Sequence, residues 1–230
     1  MDMVSVFGDS LARGVVFDNP TMKYKTLSEC FVEVACERLG MQVNNYSKFG
    51  CTVKKGLETV EKHLDAVADS AYTVLEFGGN DCDFDWKAVS EFPNDAHNPR
   101  TQLCDFVVIY KDIIRKVRAV GGNPIVLNLP PIDSDKYFAW ISSGLCGDSI
   151  KGWLGGDTDF IYRWHELYNQ QVCALTSKMG VPVIDIRSAF LEKFDYGKLL
   201  CIDGIHPNVD GHALICSVIE KTVRTALRIQ

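Results

Sequence analysis

No C-x-x-C pair occurs anywhere in the 230 residues, although the chain carries nine cysteines. Scattered singly and odd in number, they read as reduced, mostly buried thiols, which argues against a disulfide framework or a zinc site. Basic runs are missing too: the longest is a pair such as Lys54-Lys55, and the net charge is −6. That balance lacks the electrostatic footprint of a nucleic-acid binder, so no nucleic-acid partner is expected. No apolar stretch is long enough to span a bilayer. The opening Met-Asp-Met-Val-Ser-Val-Phe has no basic start followed by a long apolar region, so no signal peptide is visible and a cytoplasmic location is expected. Phosphate-binding and dinucleotide glycine fingerprints are absent, and no cofactor is implied. Also missing is the G-x-S-x-G elbow of the α/β-hydrolase fold. Repeats, linkers and low-complexity tracts do not occur.

What is present is an ordinary globular composition, 47% hydrophobic and 23% charged. A chain of this length buries roughly 70% of its unfolded surface without staples. It fits a single domain over residues 1–230. Short β-branched runs alternate with longer helical stretches. The strands are expected at Val4–Phe7, Gln42–Tyr46, Thr73–Phe77, Pro124–Leu129 and Val181–Ile186. The helices are expected at Lys25–Leu39, Val53–Ala68, Gln102–Val120, Ile161–Met179 and Gly211–Ala226. Gly40, Gly121-Gly122 and Gly180 fall at or just beyond three helix ends. Five strand–helix units predict a three-layer α/β/α sandwich around a parallel, flavodoxin-like sheet. Two segments break the alternation, Cys82–Arg100 and Pro130–Phe160. Both read as long ordered loops, cap-like insertions at about 82–100 and 130–160 on one edge of the sheet.

Ligands of open α/β sheets bind outside the carboxyl ends of the strands. Gly8-Asp9-Ser10 follows the first expected strand, Tyr46 to Gly50 the second and Gly78-Gly79-Asn80-Asp81 the third. Asp203-Gly204-Ile205-His206-Pro207 comes after the fifth, past an intervening stretch. These groups can supply a nucleophile, a base and oxyanion donors. A serine hydroxyl needs a base to take its proton, and His206 is the best base available to Ser10. Asp203, three residues before His206, is close enough on a tight turn to fix the imidazole tautomer. The Ser10 amide, the Gly50 amide and the Asn80 side chain are the expected oxyanion donors.

Gly8-Asp9-Ser10-Leu11 resembles the first block of the SGNH, or GDSL-like, hydrolases. Gly50 after Asn44-Asn45 resembles their second block, with Tyr46 to Phe49 intervening. Gly78-Gly79-Asn80-Asp81 resembles the third block and Asp203-Gly204-Ile205-His206-Pro207 the fifth. The resemblance runs from residue 4 to about residue 215. It implies sheet order 2-1-3-4-5 and metal-independent hydrolysis of a small-molecule ester through an acyl-enzyme, with Ser10, His206 and Asp203 catalytic.

Other residues have plainer expectations. Asp9 and Asp81 read as turn carboxylates bonded to backbone amides. His63, His97, His165 and His212 read as packing or surface residues, and Cys51 as an inert filler. Phe84, Trp86, Phe92, Tyr137, Phe138, Trp140 and Trp153 form either a substrate cap or a satellite core. Trp86, Trp140 and Trp153 are taken as candidate substrate contacts, suited to a sugar ring or an acyl chain. Two other functions use the same crevice. A two-metal phosphoesterase would draw ligands from Asp9, Asn80, Asp81, Asp203 and His206. A non-catalytic module would bind a carbohydrate or peptide in that crevice.

Overall fold

The computed structural model describes residues 2–229. Its centre is a five-stranded parallel sheet of β1 (Met3–Gly8), β2 (Gln42–Asn45), β3 (Tyr72–Glu76), β4 (Pro124–Leu127) and β5 (Val183–Ile184). The order is β2-β1-β3-β4-β5, the 2-1-3-4-5 arrangement that the family resemblance implies. Register is set by pairs such as Val4 with Val43 and Tyr72, Thr73 with Pro124, and Val126 with Val183.

Because successive strand residues point to opposite faces, the buried strands feed two cores. Phe7, Leu75 and Val126 pack with Val60, Ile113 and Val172 of the helices Val53–Lys62, Leu103–Ala119 and Asp159–Met179. Val4, Val6 and Val74 pack on the other face with Phe31, Ile186 and Ile215, from the helices Phe31–Arg38, Ile186–Leu191 and Val209–Ile229. Helix, sheet and helix therefore form the three expected layers.

Three expectations need correction. The helix expected over Lys25–Leu39 begins only at Phe31, because Lys23–Thr26 pairs antiparallel with Val15–Asp18 in a separate hairpin. Its turn lies at Asn19-Pro20 and ends at Met22, the one non-glycine with positive φ (52°) among the described residues. The helix expected over Val53–Ala68 is broken at His63 into Val53–Lys62 and Leu64–Ala68. Segments 82–100 and 130–160 are not plain loops. They hold the helices Trp86–Glu91, Ser134–Ile141 and Gly147–Trp153, the first two capped by the Asp85 and Asp133 side chains. Phe84, Trp86, Val89, Ile132, Tyr137, Ile150, Leu154 and Ile161 form a small core beneath them. Among the described residues no helix is long and apolar enough to cross a membrane.

Candidate active site

β1 delivers Ser10 to the crevice. At Gly8 a Cβ would lie 2.8 Å from Ala12 Cβ and 2.9 Å from Glu76 Oε2, so only glycine fits this strand end. Asp9 then caps the short helix Ser10–Arg13, its Oδ1 accepting from the Leu11 amide at 2.8 Å. This sharp change from strand to helix leaves Ser10 only 7% exposed, facing the cavity.

The imidazole arrives from far along the chain. Leu200 bridges Pro207, and Cys201 N donates to His206 O at 2.7 Å, closing a tight loop around Asp203 and His206. Asp203 Oδ1 accepts from the amides of Ile205 and His206, each at 3.1 Å. His206 Nδ1 lies 2.6 Å from Asp203 Oδ2, and His206 Nε2 lies 2.9 Å from Ser10 Oγ. Burial alone would raise the Asp203 carboxyl, but the His206 hydrogen bond and charge hold it below the usual carboxylate range. An ionised Asp203 accepts the hydrogen bond from Nδ1–H and so keeps the proton on Nδ1, which leaves Nε2 with a lone pair for the serine hydroxyl.

Two neighbouring strand ends complete the polar rim. Asn80 Nδ2 donates to Asp9 Oδ2 at 2.8 Å. An amide nitrogen carries two hydrogens, so fixing one on Asp9 orients the other. Gly50 has φ 67°, and a Cβ there would meet nothing within 4 Å, so glycine is required by backbone conformation and not by crowding from the protein. The intervening Tyr46 to Phe49 are tied back to the first strand, with Lys48 N donating to Gly8 O at 3.1 Å. That bond brings Gly50 to the cavity wall shared with Ser10 and Asn80.

Buried acids lie beneath the rim. Glu76 Oε2 accepts the Asp9 amide at 3.2 Å, and burial, then the Asp9 charge, push the Glu76 carboxyl well above its usual range. Asp81 accepts from Val53 N with both oxygens at 3.0 Å, at the start of the helix Val53–Lys62. Burial pushes Asp81 up to about 6.

The cavity, about 290 Å³, is walled mainly by apolar groups. Trp86 and Trp140 line it, and Trp86 Nε1 donates to Asp83 Oδ1 at 2.8 Å. Trp153 does not line it. Its ring packs edge-on against Phe84 at 5.0 Å and Trp86 at 6.2 Å, inside the small core under the helices of the two insertions. Tyr24, Phe49, Ile205 and Trp164 line the cavity without having been singled out from the sequence. Tyr24 and Phe49 precede or interrupt the motifs, so no spacing flags them.

The remaining histidines lie away from the Ser10–His206 contact. His212 stacks on Phe31 at 5.5 Å, and burial lowers it to about 4. His165 lines the far wall and is lowered to about 3 by burial, then by Arg187. His63 stacks on Tyr46 at 4.1 Å, and His97 bonds the Phe92 carbonyl. Burial pushes the Cys51 thiol up to about 12, so it is not a thiolate.

Residues 6–214 match the model of the GDSL-like lipase/acylhydrolase family. GDSL esterase/lipase CPRD49 of Arabidopsis thaliana is 24% identical over 77% of this chain and 64% of its own length. The chain thus spans somewhat under two thirds of that relative. A lipase/acylhydrolase from Enterococcus faecalis superposes with TM-score 0.65 at 18% identity, covering 98% of this chain and 97% of that one. A catalytic mutant of Axe2, an acetylxylan esterase from Geobacillus stearothermophilus, gives 0.68 at 16% identity, covering 96% and 94%. At such identities the two structures speak for the fold, whereas the family model follows the sequence through Ser10 and His206 alike. The chain belongs to the GDSL-like lipase/acylhydrolase family.

Proposed function

We propose that the chain is a serine esterase that hydrolyses small carboxylic esters through an acyl-enzyme. One observation carries the reading: the unbroken relay from Ser10 Oγ to His206 Nε2 at 2.9 Å and from His206 Nδ1 to Asp203 Oδ2 at 2.6 Å. Ser10 Oγ attacks the ester carbonyl while His206 takes its proton, and Asp203 holds the tautomer and stabilises the imidazolium. The Ser10 and Gly50 amides and the Asn80 side chain receive the oxyanion. His206 then protonates the departing alcohol, and the same steps run with water release the acid.

The walls support a small acyl or acetyl ester of a sugar or lipid. A cavity of about 290 Å³ lies at the lower end for ligand sites, and its lining is chiefly aromatic and aliphatic. Acetyl esters are the stated substrates of the Geobacillus neighbour, which favours the short acyl end. Residues 1–230 serve as a single hydrolase domain, with 82–100 and 130–160 as its cap.

A fluorophosphonate probe tests the nucleophile directly. It should label Ser10, and Ser10→Ala should abolish both labelling and turnover of p-nitrophenyl acetate while leaving the thermal melt unchanged. Labelling elsewhere, or turnover surviving in Ser10→Ala, would falsify the assignment.

A further inference from the structure

The hairpin formed by Val15–Asp18 and Lys23–Thr26 lies outside the central sheet, yet it reaches the Asp203–His206 loop from both of its strands. Phe17 N donates to Cys201 Sγ at 3.4 Å, and Val16, Phe17 and Cys201 share a small buried cluster. From the opposite strand, paired with Phe17, Tyr24 OH donates to Asp203 Oδ2 at 3.1 Å. The Tyr24 ring also packs beside the His206 ring, centroids 5.2 Å apart. Phe17 and Trp140 hold that ring in place, edge-on at 5.2 and 6.1 Å.

Asp203 therefore has a donor at each of its lone-pair positions. The Ile205 and His206 amides fill Oδ1, while His206 Nδ1 and Tyr24 OH share Oδ2. A carboxylate oxygen that accepts two hydrogen bonds attracts each proton less than one that accepts a single bond. We propose that Tyr24 is a positioning residue of the Asp203–His206 pair: by sharing Oδ2 with the imidazole it fixes the carboxylate and restrains the proton affinity of His206. The chemical consequence is a base that remains neutral, and so able to accept the Ser10 proton, at lower pH than it would beside an unshared carboxylate. Burial and the adjacent Asp203 charge push the Tyr24 phenol well up, so it remains a donor throughout the working range.

Three other ionisable groups lie within electrostatic reach of the pair. Asp9 acts from the turn after β1, His212 from the last helix and Cys201 from the same loop. Lys136 packs its Cβ beside Gly204, but its ammonium turns away to Asp133 and the Gly197 carbonyl. Tyr24→Phe leaves all of these in place and removes a single oxygen, keeping the ring on the cavity wall.

The role presupposes that Ser10, His206 and Asp203 act as proposed above, so one readout is chosen that needs no turnover. The His206 imidazole is titrated by NMR in the wild-type chain and in Tyr24→Phe, its signals assigned by their loss in His206→Gln. The midpoint should rise by about half a pH unit on removal of the hydroxyl. In parallel, the acid limb of kcat/KM for p-nitrophenyl acetate should move up by the same amount. Turnover on that limb should fall roughly threefold, with KM unchanged and the loss recovered at alkaline pH. Identical midpoints, or a loss by the same factor at every pH, overturn the role for Tyr24. A wild-type chain that neither labels at Ser10 nor turns over ester overturns the esterase reading instead, and the titration still decides whether Tyr24 governs the imidazole.

Discussion

Asp81 shows at the scale of one residue how a motif position can cost stability for the sake of geometry. Its side chain is fully buried, and both oxygens accept from Val53 N, anchoring the helix that follows Gly50. Burial raises its carboxyl to about 6, above the ordinary aspartate range. A carboxyl raised in the folded state is fully tolerated below its unfolded pKa, where it is protonated in both states. Its contribution is then lost as pH rises through the folded value. Between pH 4 and pH 7 this single group should remove on the order of 2 kcal/mol from folding stability. Asp81→Asn keeps one acceptor for Val53 and cannot ionise. Urea melts at both pH values should show the variant gaining on the wild type as pH rises, and a pH-independent difference would contradict the account. The sequence marks Asp81 as a turn carboxylate, but its partner Val53 lies 28 positions away in the chain. Such a long-range amide has no signature in local spacing. Ser10, Asn80, Asp203 and His206 were legible for the opposite reason, because each lies within a few residues of a short motif. Tyr24 has no motif, and its bond to Asp203 spans 179 positions.

Elements were legible where their period was long enough to repeat. The helices Leu103–Ala119 and Asp159–Met179 start and stop within about two residues of expectation, and Gly40, Gly121 and Gly180 do have positive φ at or beyond their helix ends. Six to eight residues do not repeat a 3.6-residue period often enough to be recognised, which is why Trp86–Glu91, Ser134–Ile141 and Gly147–Trp153 read as loop. Those helices are held by contact with each other. Ile150 is completely buried in their shared core, and Cys146 N donates to Ser90 Oγ at 2.9 Å across the two insertions. Tyr137 OH and Trp86 Nε1 both donate to Asp83 Oδ1, at 2.6 and 2.8 Å. Its buried members all lie outside the five strands, so this core is expected to open as a unit ahead of the sheet. Truncation by Ile150→Ala should cost about 2–5 kcal/mol within that unit. Hydrogen exchange should then accelerate over residues 134–153 well before it does in β1 or β3. Equal acceleration in the sheet would mean that cap and sheet unfold together.

Across the whole molecule, the order β2-β1-β3-β4-β5 places the first three strands side by side, so the residues just past their ends share one rim. A sequence reader who recognises parallel strands can therefore gather Ser10, Gly50 and Asn80 without knowing any distance. The shape of the walls was not available in that way, because it depends on how two aperiodic insertions pack; Trp140 faced the cavity and Trp153 did not. The same wall bears on the phosphoesterase alternative. Among the described residues Arg100 is the only lysine or arginine on it, and Asp83 already pairs with that guanidinium at 3.0 Å. With Arg100 already engaged and the chain at net charge −6, a dianionic phosphate meets no free positive charge on this wall. His206, the imidazole a metal would need, has one nitrogen on Asp203 and the other on Ser10. Among the described residues no three His, Cys, Asp or Glu side chains are placed to hold an ion. Turnover of p-nitrophenyl acetate should consequently persist in excess EDTA, and p-nitrophenyl phosphate should not be hydrolysed. Activity that disappears with the chelator and returns with a divalent cation would transfer the chemistry from the serine to a metal-bound nucleophile.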